Sequence, residues 1–133
     1  MPSKKYVYIY TDGGPAKWAF VVVRDNRIIH EESGTFGLSV STKNDDTESE
    51  GIFRALHYAR DNPDNYILVT DSQAILAKIN GNAANVTKNP NIRGIQTLLK
   101  EFKESPLPLS ITVKWEKRIS NDFMKRVDSL CKA

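Results

Sequence analysis

The chain has 133 residues, of which 40% are hydrophobic and 26% are charged, and its net charge is +3. This length suits a single domain over residues 1–133, and the composition is typical of a soluble globular protein rather than a disordered or membrane protein. The longest apolar run, residues 18–23, is too short to span a bilayer. Cys131 is the sole cysteine. A disulfide within the chain is therefore excluded, which predicts a reducing, cytoplasmic location.

The charged residues are unevenly distributed along the chain. Carboxylates are dense over residues 45–50, whereas the C-terminal third is rich in lysine and arginine. An acidic cluster suits cation binding, and a basic surface suits a polyanionic partner.

The first third of the chain predicts an antiparallel meander. Residues 5–11 are rich in aromatic and β-branched side chains and stop at Asp12, and residues 18–24 form a second β-rich run. A third strand over 27–37 follows a turn signal at Asp25-Asn26. Successive strands joined by such short turns pair antiparallel.

The rest of the chain alternates helices and strands. Residues 39–46 predict a loop, and helical spacing of apolar residues predicts a helix over 47–60. The remaining predicted elements are a strand over 66–70, a helix capped by Ser72 and ending at 79, a loop over 81–90, a helix over 92–103, a strand over 110–116 and a helix over 121–132 capped by Ser120. This order predicts an α/β fold with a mixed five-stranded sheet, an antiparallel meander plus two parallel strands, flanked by helices.

Three carboxylates stand where a site is expected. Asp12 follows the first predicted strand, Asp71 follows the fourth, and Glu48 lies in the first turn of the helix after the meander. Aspartate is common in turns, so each residue alone is weak evidence. If the first and fourth strands are neighbours, however, the side chains converge at one rim of the sheet, where loops form sites.

The residues around these carboxylates carry a family resemblance. Segments 10–14, 47–56 and 69–73 read YTDGG, TESEGIFRAL and VTDSQ. In sequence and order they resemble the three landmark motifs of the type 1 ribonuclease H family, and the order of predicted elements also matches that fold. The resemblance implies a ribonuclease H-like fold in its compact form without the basic protrusion. It also implies a monomeric endoribonuclease that hydrolyses the RNA strand of RNA/DNA hybrids, with no membrane partner.

The resemblance also implies a two-metal-ion mechanism in which Asp12, Glu48 and Asp71 are catalytic metal ligands. Two Mg²⁺ ions are expected, with Mn²⁺ as an alternative, because these hard cations take carboxylate and phosphate oxygens. One ion would activate a water for attack on the scissile phosphate, and the other would stabilise the leaving 3′ oxygen.

The family has a fourth carboxylate near the start of the last helix, and this chain offers two candidates. The run Val127-Asp128-Ser129-Leu130 matches the local pattern, which favours Asp128 as the fourth catalytic metal ligand. Its spacing from Asn121 is three residues longer than usual, so Asp122 is the alternative.

Substrate contacts are carried over in the same way. The candidate substrate-binding residues are Gly13, Asn44, Asp45, Ser72, Gln73, Lys117 and Arg118. Asn44, Asp45 and Gln73 match positions that in the family contact the minor-groove side of the hybrid, where 2′-hydroxyls distinguish RNA from DNA. A polar role in stabilising a loop is the alternative for each.

The chain departs from the family in several places. It has no histidine between Trp115 and Asp128, where many bacterial members have one, and residues 81–90 replace a long basic insertion. Two other functions therefore stay open: a non-catalytic or weakly catalytic nucleic-acid-binding module, and a DNA-directed nuclease of the same fold. A proofreading exonuclease is disfavoured because Asp12-Gly13-Gly14 lacks the usual Asp-x-Glu.

Overall fold

A computed structural model describes residues 6–14, 17–35, 44–81, 90–105, 110–117 and 121–132. Five strands form one sheet in the order β3-β2-β1-β4-β5. The strands are β1 (Val7–Gly13), β2 (Lys17–Arg24), β3 (Arg27–Thr35), β4 (Asn65–Thr70) and β5 (Ser110–Trp115). The pairs β1/β2 and β2/β3 are antiparallel, whereas β1/β4 and β4/β5 are parallel. The predicted mixed sheet is confirmed.

Four helices accompany the sheet in the described part of the chain: α1 (Asn44–Asp61), α2 (Gln73–Ile79), α3 (Pro90–Glu104) and α4 (Asp122–Lys132). Among the described residues, no helix is long and apolar enough to cross a membrane. Two cores result from the alternation of side chains along the strands. Val7 and Ile9 face the core shared with α1, α2 and α3, whereas Tyr10 faces the core shared with α4.

Several predicted boundaries differ from the structure by one to three residues, and two of them bear on the site. The first strand does not stop before Asp12, because Asp12 and Gly13 continue the pairing of β1 with Ala19 and Trp18 of β2. Likewise, α1 begins at Asn44, so residues 44–46 are helical rather than part of a loop. Polar residues without an apolar rhythm gave no helical signal there.

The predicted helix caps and turn agree better with the structure than these strand and helix boundaries do. Ser72 caps α2 as predicted, because its side chain accepts a hydrogen bond from the backbone of Ile75. Asp25 and Asn26 both have positive φ, as tight hairpin turns require. For α4, the cap is Asn121, whose Oδ1 accepts the Met124 N–H at 2.9 Å. The predicted cap, Ser120, lies outside the described residues.

The parallel pairing of β1 with β4 positions the candidate site. Thr11 lies opposite Thr70 in this register, and the pairing of β1 with β4 ends there. The residues that follow, Asp12 and Asp71, are therefore neighbours, as the sequence predicted.

Candidate active site

Three carboxylates meet at this edge of the sheet. One side-chain oxygen from each of Asp12, Glu48 and Asp71 lies within 4.8 Å of the others. Asp12 and Glu48 are buried, and Asp71 is partly exposed. The cluster combines the end of β1, the first turns of α1 and the residue after β4, so three separate segments build it.

Asp128 joins the cluster from the opposite face of the sheet. Asp12 occupies the last part of β1 on the side covered by α4, and its Oδ1 accepts the Gly13 N–H at 2.8 Å. The carboxyl group of Asp128 lies close enough to that of Asp12 to contribute to its raised pKa, and Asp128 is only 9% exposed. Asp122, in contrast, has a side chain that is 95% exposed, beside Lys125 at 3.9 Å. Of the two candidates, the structure brings Asp128 to the cluster and leaves Asp122 in solvent.

Close packing between α1 and the end of β1 positions Glu48. A side chain at Gly13 would lie 2.3 Å from the Glu48 backbone nitrogen and 2.6 Å from the Thr47 carbonyl carbon. Thr47 Oγ1 donates to the Gly14 carbonyl at 2.6 Å. Gly13, a predicted substrate-binding residue, thus also has a packing role: its missing side chain lets α1 approach.

Thr70 links Glu48 to the segment that carries Asp71. Its hydroxyl donates to Glu48 Oε2 at 3.4 Å and accepts the Ser72 N–H at 3.1 Å. Ser72 Oγ in turn accepts the Ile75 N–H at 3.1 Å. Asp71 is thus held between a strand end and a capped helix.

The electrostatics of the cluster disfavour its ionised form without a cation. Burial, with a further contribution from the Asp71 charge, raises the pKa of Asp12 to about 6. Burial and the neighbouring Asp71 raise the pKa of Glu48 to about 11. A bound cation would offset this repulsion. All the side-chain atoms that could coordinate an ion here are carboxylate oxygens, which hard divalent cations prefer. The residues present therefore fit a divalent metal ion.

The raised pKa of Asp12 predicts how metal-free stability depends on pH. The folded pKa lies above the usual value of 3.8, so the folded state disfavours ionised Asp12. The destabilisation is full above pH 6 and disappears as the pH falls towards 4. It amounts to about 3 kcal/mol at most.

We therefore expect the Tm in EDTA to rise by several degrees between pH 7.5 and pH 5.5. Thermal unfolding followed by circular dichroism measures this. The raised pKa of Glu48 acts in the same direction over this range, so a Tm that stays level or falls would contradict the raised pKa values of both carboxyl groups.

The structure describes the other predicted substrate-binding residues only in part. Asn44 and Asp45 lie in the first turn of α1, but their side chains are outside the described structure. Gln73 is exposed at the start of α2, and Lys117 is exposed just beyond β5, at the same edge of the sheet. Arg118 lies outside the described residues.

Sequence reasoning missed three residues around the carboxylates, namely Thr47, Thr70 and Trp115. Trp115 Nε1 donates to the Asp71 carbonyl at 3.0 Å. A threonine immediately precedes both Glu48 and Asp71, and this repeated pairing was the sequence signal available for Thr47 and Thr70.

Cys131 also lies near the cluster, and burial, followed by the Asp12 charge, raises the pKa of its thiol to about 12. This thiol stays protonated and unreactive at neutral pH.

Known structures share this architecture. The ribonuclease H1 of Halobacterium salinarum superposes with a TM-score of 0.73 at 24% identity, covering 94% of this chain and 93% of its own. The LC11 ribonuclease H1 in complex with an RNA/DNA hybrid superposes with a TM-score of 0.69 at 19% identity, covering 93% of this chain and 92% of its own. The N-terminal ribonuclease H domain of a Mycobacterium tuberculosis protein gives 0.67 at 18% identity, covering 95% and 94%.

The strand order and these likenesses define a ribonuclease H-like fold, which confirms the fold that the motifs implied. No protein-family model and no curated protein sequence matches the chain.

Proposed function

We propose that this protein is an endoribonuclease that hydrolyses the RNA strand of RNA/DNA hybrids with two divalent metal ions. Mg²⁺ is the proposed ion, with Mn²⁺ as the alternative. Two findings support the proposal: the buried carboxylate cluster, and the fold shared with ribonucleases H1, one of them in complex with an RNA/DNA hybrid. A cytoplasmic location and a monomeric state belong to the same proposal, and the free, buried Cys131 supports a reducing compartment.

The observation that carries the proposal is the convergence of Asp12, Glu48 and Asp71 at one edge of the sheet, with the Asp128 carboxyl beside Asp12. These four carboxylates would hold the metal. When bound, divalent ions lower the pKa of coordinated water and stabilise negative charge on the phosphate and the leaving oxygen.

The chain's own groups orient this site rather than attack the substrate. Thr47 fixes the start of α1 against Gly14, and Thr70 holds a Glu48 oxygen through its hydroxyl. No side-chain nucleophile is needed for a water-driven hydrolysis, and the protonated Cys131 thiol has no part in it. Exposed Lys117 at the same edge is suited to contact a substrate phosphate as a point charge.

The test is a cleavage assay on four labelled substrates of one sequence: RNA/DNA hybrid, duplex DNA, duplex RNA and single-stranded RNA. With Mg²⁺, cleavage of only the RNA strand of the hybrid is expected. Cleavage of duplex DNA would instead establish a DNA-directed nuclease. Hybrid binding without cleavage in either Mg²⁺ or Mn²⁺ would establish a binding module.

The fourth carboxylate has a matched control on its own helix. Asp128→Asn removes a charge beside Asp12, so we expect kcat to fall at least roughly tenfold, because the loss of one metal-ligand contact costs more than about 1.4 kcal/mol. Asp122→Asn makes the same chemical change on the exposed end of α4, so its kcat should stay near that of the unmodified protein. Steady-state kinetics on the hybrid measures both. Loss of activity in Asp122→Asn alone would overturn the assignment.

A further inference from the structure

Trp115 is distinguished by its position among the exposed apolar side chains. Four large hydrophobic residues in the described part of the chain are exposed: Tyr6, Ile28, Ile29 and Trp115. Tyr6 precedes β1 at the opposite end of that strand from Asp12, and the two isoleucines lie on the outer strand β3. Trp115, 40% exposed, ends β5 at the edge where the carboxylates lie.

Two contacts fix this indole beside the carboxylates. Trp115 is paired with Thr70 in the β4/β5 register, and the next residue continues the pairing, since the Glu116 N–H donates to the Thr70 carbonyl at 3.0 Å. In addition, the indole Nε1–H donates to the Asp71 carbonyl at 3.0 Å. A tryptophan needs a partner for its N–H, and here that partner is the backbone of a proposed metal ligand. The ring is therefore held at the rim while much of its surface remains open.

We propose that Trp115 is a substrate-contacting residue whose exposed indole packs against a sugar ring of the nucleic-acid strand bound at the carboxylates. This inference rests on the function proposed above. The bases of a hybrid duplex are stacked on each other, so a sugar is the apolar surface available to a side chain at the strand's edge. Sugar and phosphate contacts fix the register of a bound strand without reading its sequence. Trp115 would thus align the scissile phosphate with Asp71.

The chain offers a direct optical test because it has two tryptophans. Trp18 is 5% exposed and lies under the Arg54 guanidinium, so Trp18→Phe leaves Trp115 as the sole tryptophan and Trp115→Phe leaves Trp18, and excitation at a wavelength that tyrosine does not absorb selects the tryptophan signal. Both variants are prepared with Asp12→Asn to prevent cleavage. Each is titrated with unlabelled hybrid in Mg²⁺ while acrylamide quenching is measured. Anisotropy of a labelled hybrid reports binding separately.

The expected result is a saturable loss of acrylamide quenching of Trp115 at the hybrid concentrations that saturate the anisotropy, with Trp18 unaffected. Saturating anisotropy with unchanged quenching of Trp115 would overturn this inference and leave the proposed function standing. A flat anisotropy curve in this background, together with no cleavage by the unmodified protein, would overturn both.

Steady-state kinetics distinguish a direct contact of Trp115 with the substrate from an indirect role in positioning Asp71. Trp115→Leu removes the ring and its N–H, whereas Trp115→Phe keeps an aromatic ring and removes only the N–H. We expect KM for the hybrid to rise roughly fivefold in Trp115→Leu and clearly less in Trp115→Phe. Tyr6→Leu, the same kind of change at the far end of the sheet, should leave KM unchanged. An equal fall in kcat in both Trp115 variants, with KM unchanged, would show that the residue acts only through Asp71 and would overturn the contact.

Discussion

Replacing Asp12 with asparagine is expected to reduce hydrolysis of an RNA/DNA hybrid by roughly a thousandfold. The Asp12 carboxyl lies beside Glu48, Asp71 and Asp128, so its loss affects the whole cluster. A neutral amide is a weaker ligand for a hard divalent ion. Loss of several kcal/mol of transition-state stabilisation, at about 1.4 kcal/mol for each factor of ten, gives this magnitude. Single-turnover cleavage of a labelled hybrid measures it.

The same substitution should stabilise the metal-free protein. At pH 7.5 the Asp12 carboxylate is ionised although burial and the Asp71 charge oppose this, since its pKa is raised to about 6. Asparagine removes the charge, and we expect the unfolding free energy measured in EDTA to rise by about 2 kcal/mol. Urea unfolding of both proteins with and without Mg²⁺ checks the expectation, because Mg²⁺ should stabilise the unmodified protein more than the variant. A variant that is both inactive and less stable in EDTA would point to simple damage to the fold.

Replacing Gly13 with alanine is expected to disrupt the site without changing any carboxylate. The new Cβ would lie 2.3 Å from the Glu48 backbone nitrogen, and backbone atoms cannot rotate away as a side chain can. The start of α1 must therefore move off β1, taking Glu48 out of the cluster. We expect a loss of roughly 3 kcal/mol in unfolding free energy, a fall in Tm of roughly 10 °C and a large fall in kcat. Thermal unfolding and the cleavage assay measure these effects.

Gly94→Ala serves as the control for this substitution. Its Cβ would meet the ring of Phe53 at 2.8 Å, and a side chain can shift to accommodate it. Gly94 also lies inside α3, where alanine is favoured over glycine by roughly 1 kcal/mol. We expect Gly94→Ala to stay near the unmodified protein in Tm and kcat. If Gly13→Ala behaved in the same way, the close packing of α1 on β1 would be refuted.

Much of the fold could be predicted from local patterns. Alternation along β1 and β2 and the Asp25-Asn26 turn give the meander, and the capping signal at Ser72 gives α2. The convergence of Asp12 with Asp71 follows from two neighbouring parallel strands that end together. These features depend on residues close in sequence or on a general rule of sheets, so they needed no knowledge of packing.

The position of Glu48 could not be predicted from local patterns, because it depends on how a helix packs against a strand. Its placement requires the bare backbone at Gly13 and the hydrogen bond from Thr47 to Gly14, neither of which leaves a periodic signal in the sequence. The choice between Asp122 and Asp128 also needed the structure. Both lie on α4, and only the docking of Met124 and Val127 into the sheet shows which of them faces inward.

The proximity of Asp12 to Asp128 joins β1 to α4, the first and the last elements of the described structure. On the ribosome, the strand that carries Asp12 emerges early, but α4 emerges after every strand has been made. Until then the cluster lacks the Asp128 carboxylate, and Tyr10 and Val21 lack the Met124 and Val127 side chains that share their buried cluster. Docking of α4 therefore completes this hydrophobic cluster and the group of four carboxyls in one event, so a nascent chain acquires the full acidic group only once α4 has packed on the sheet.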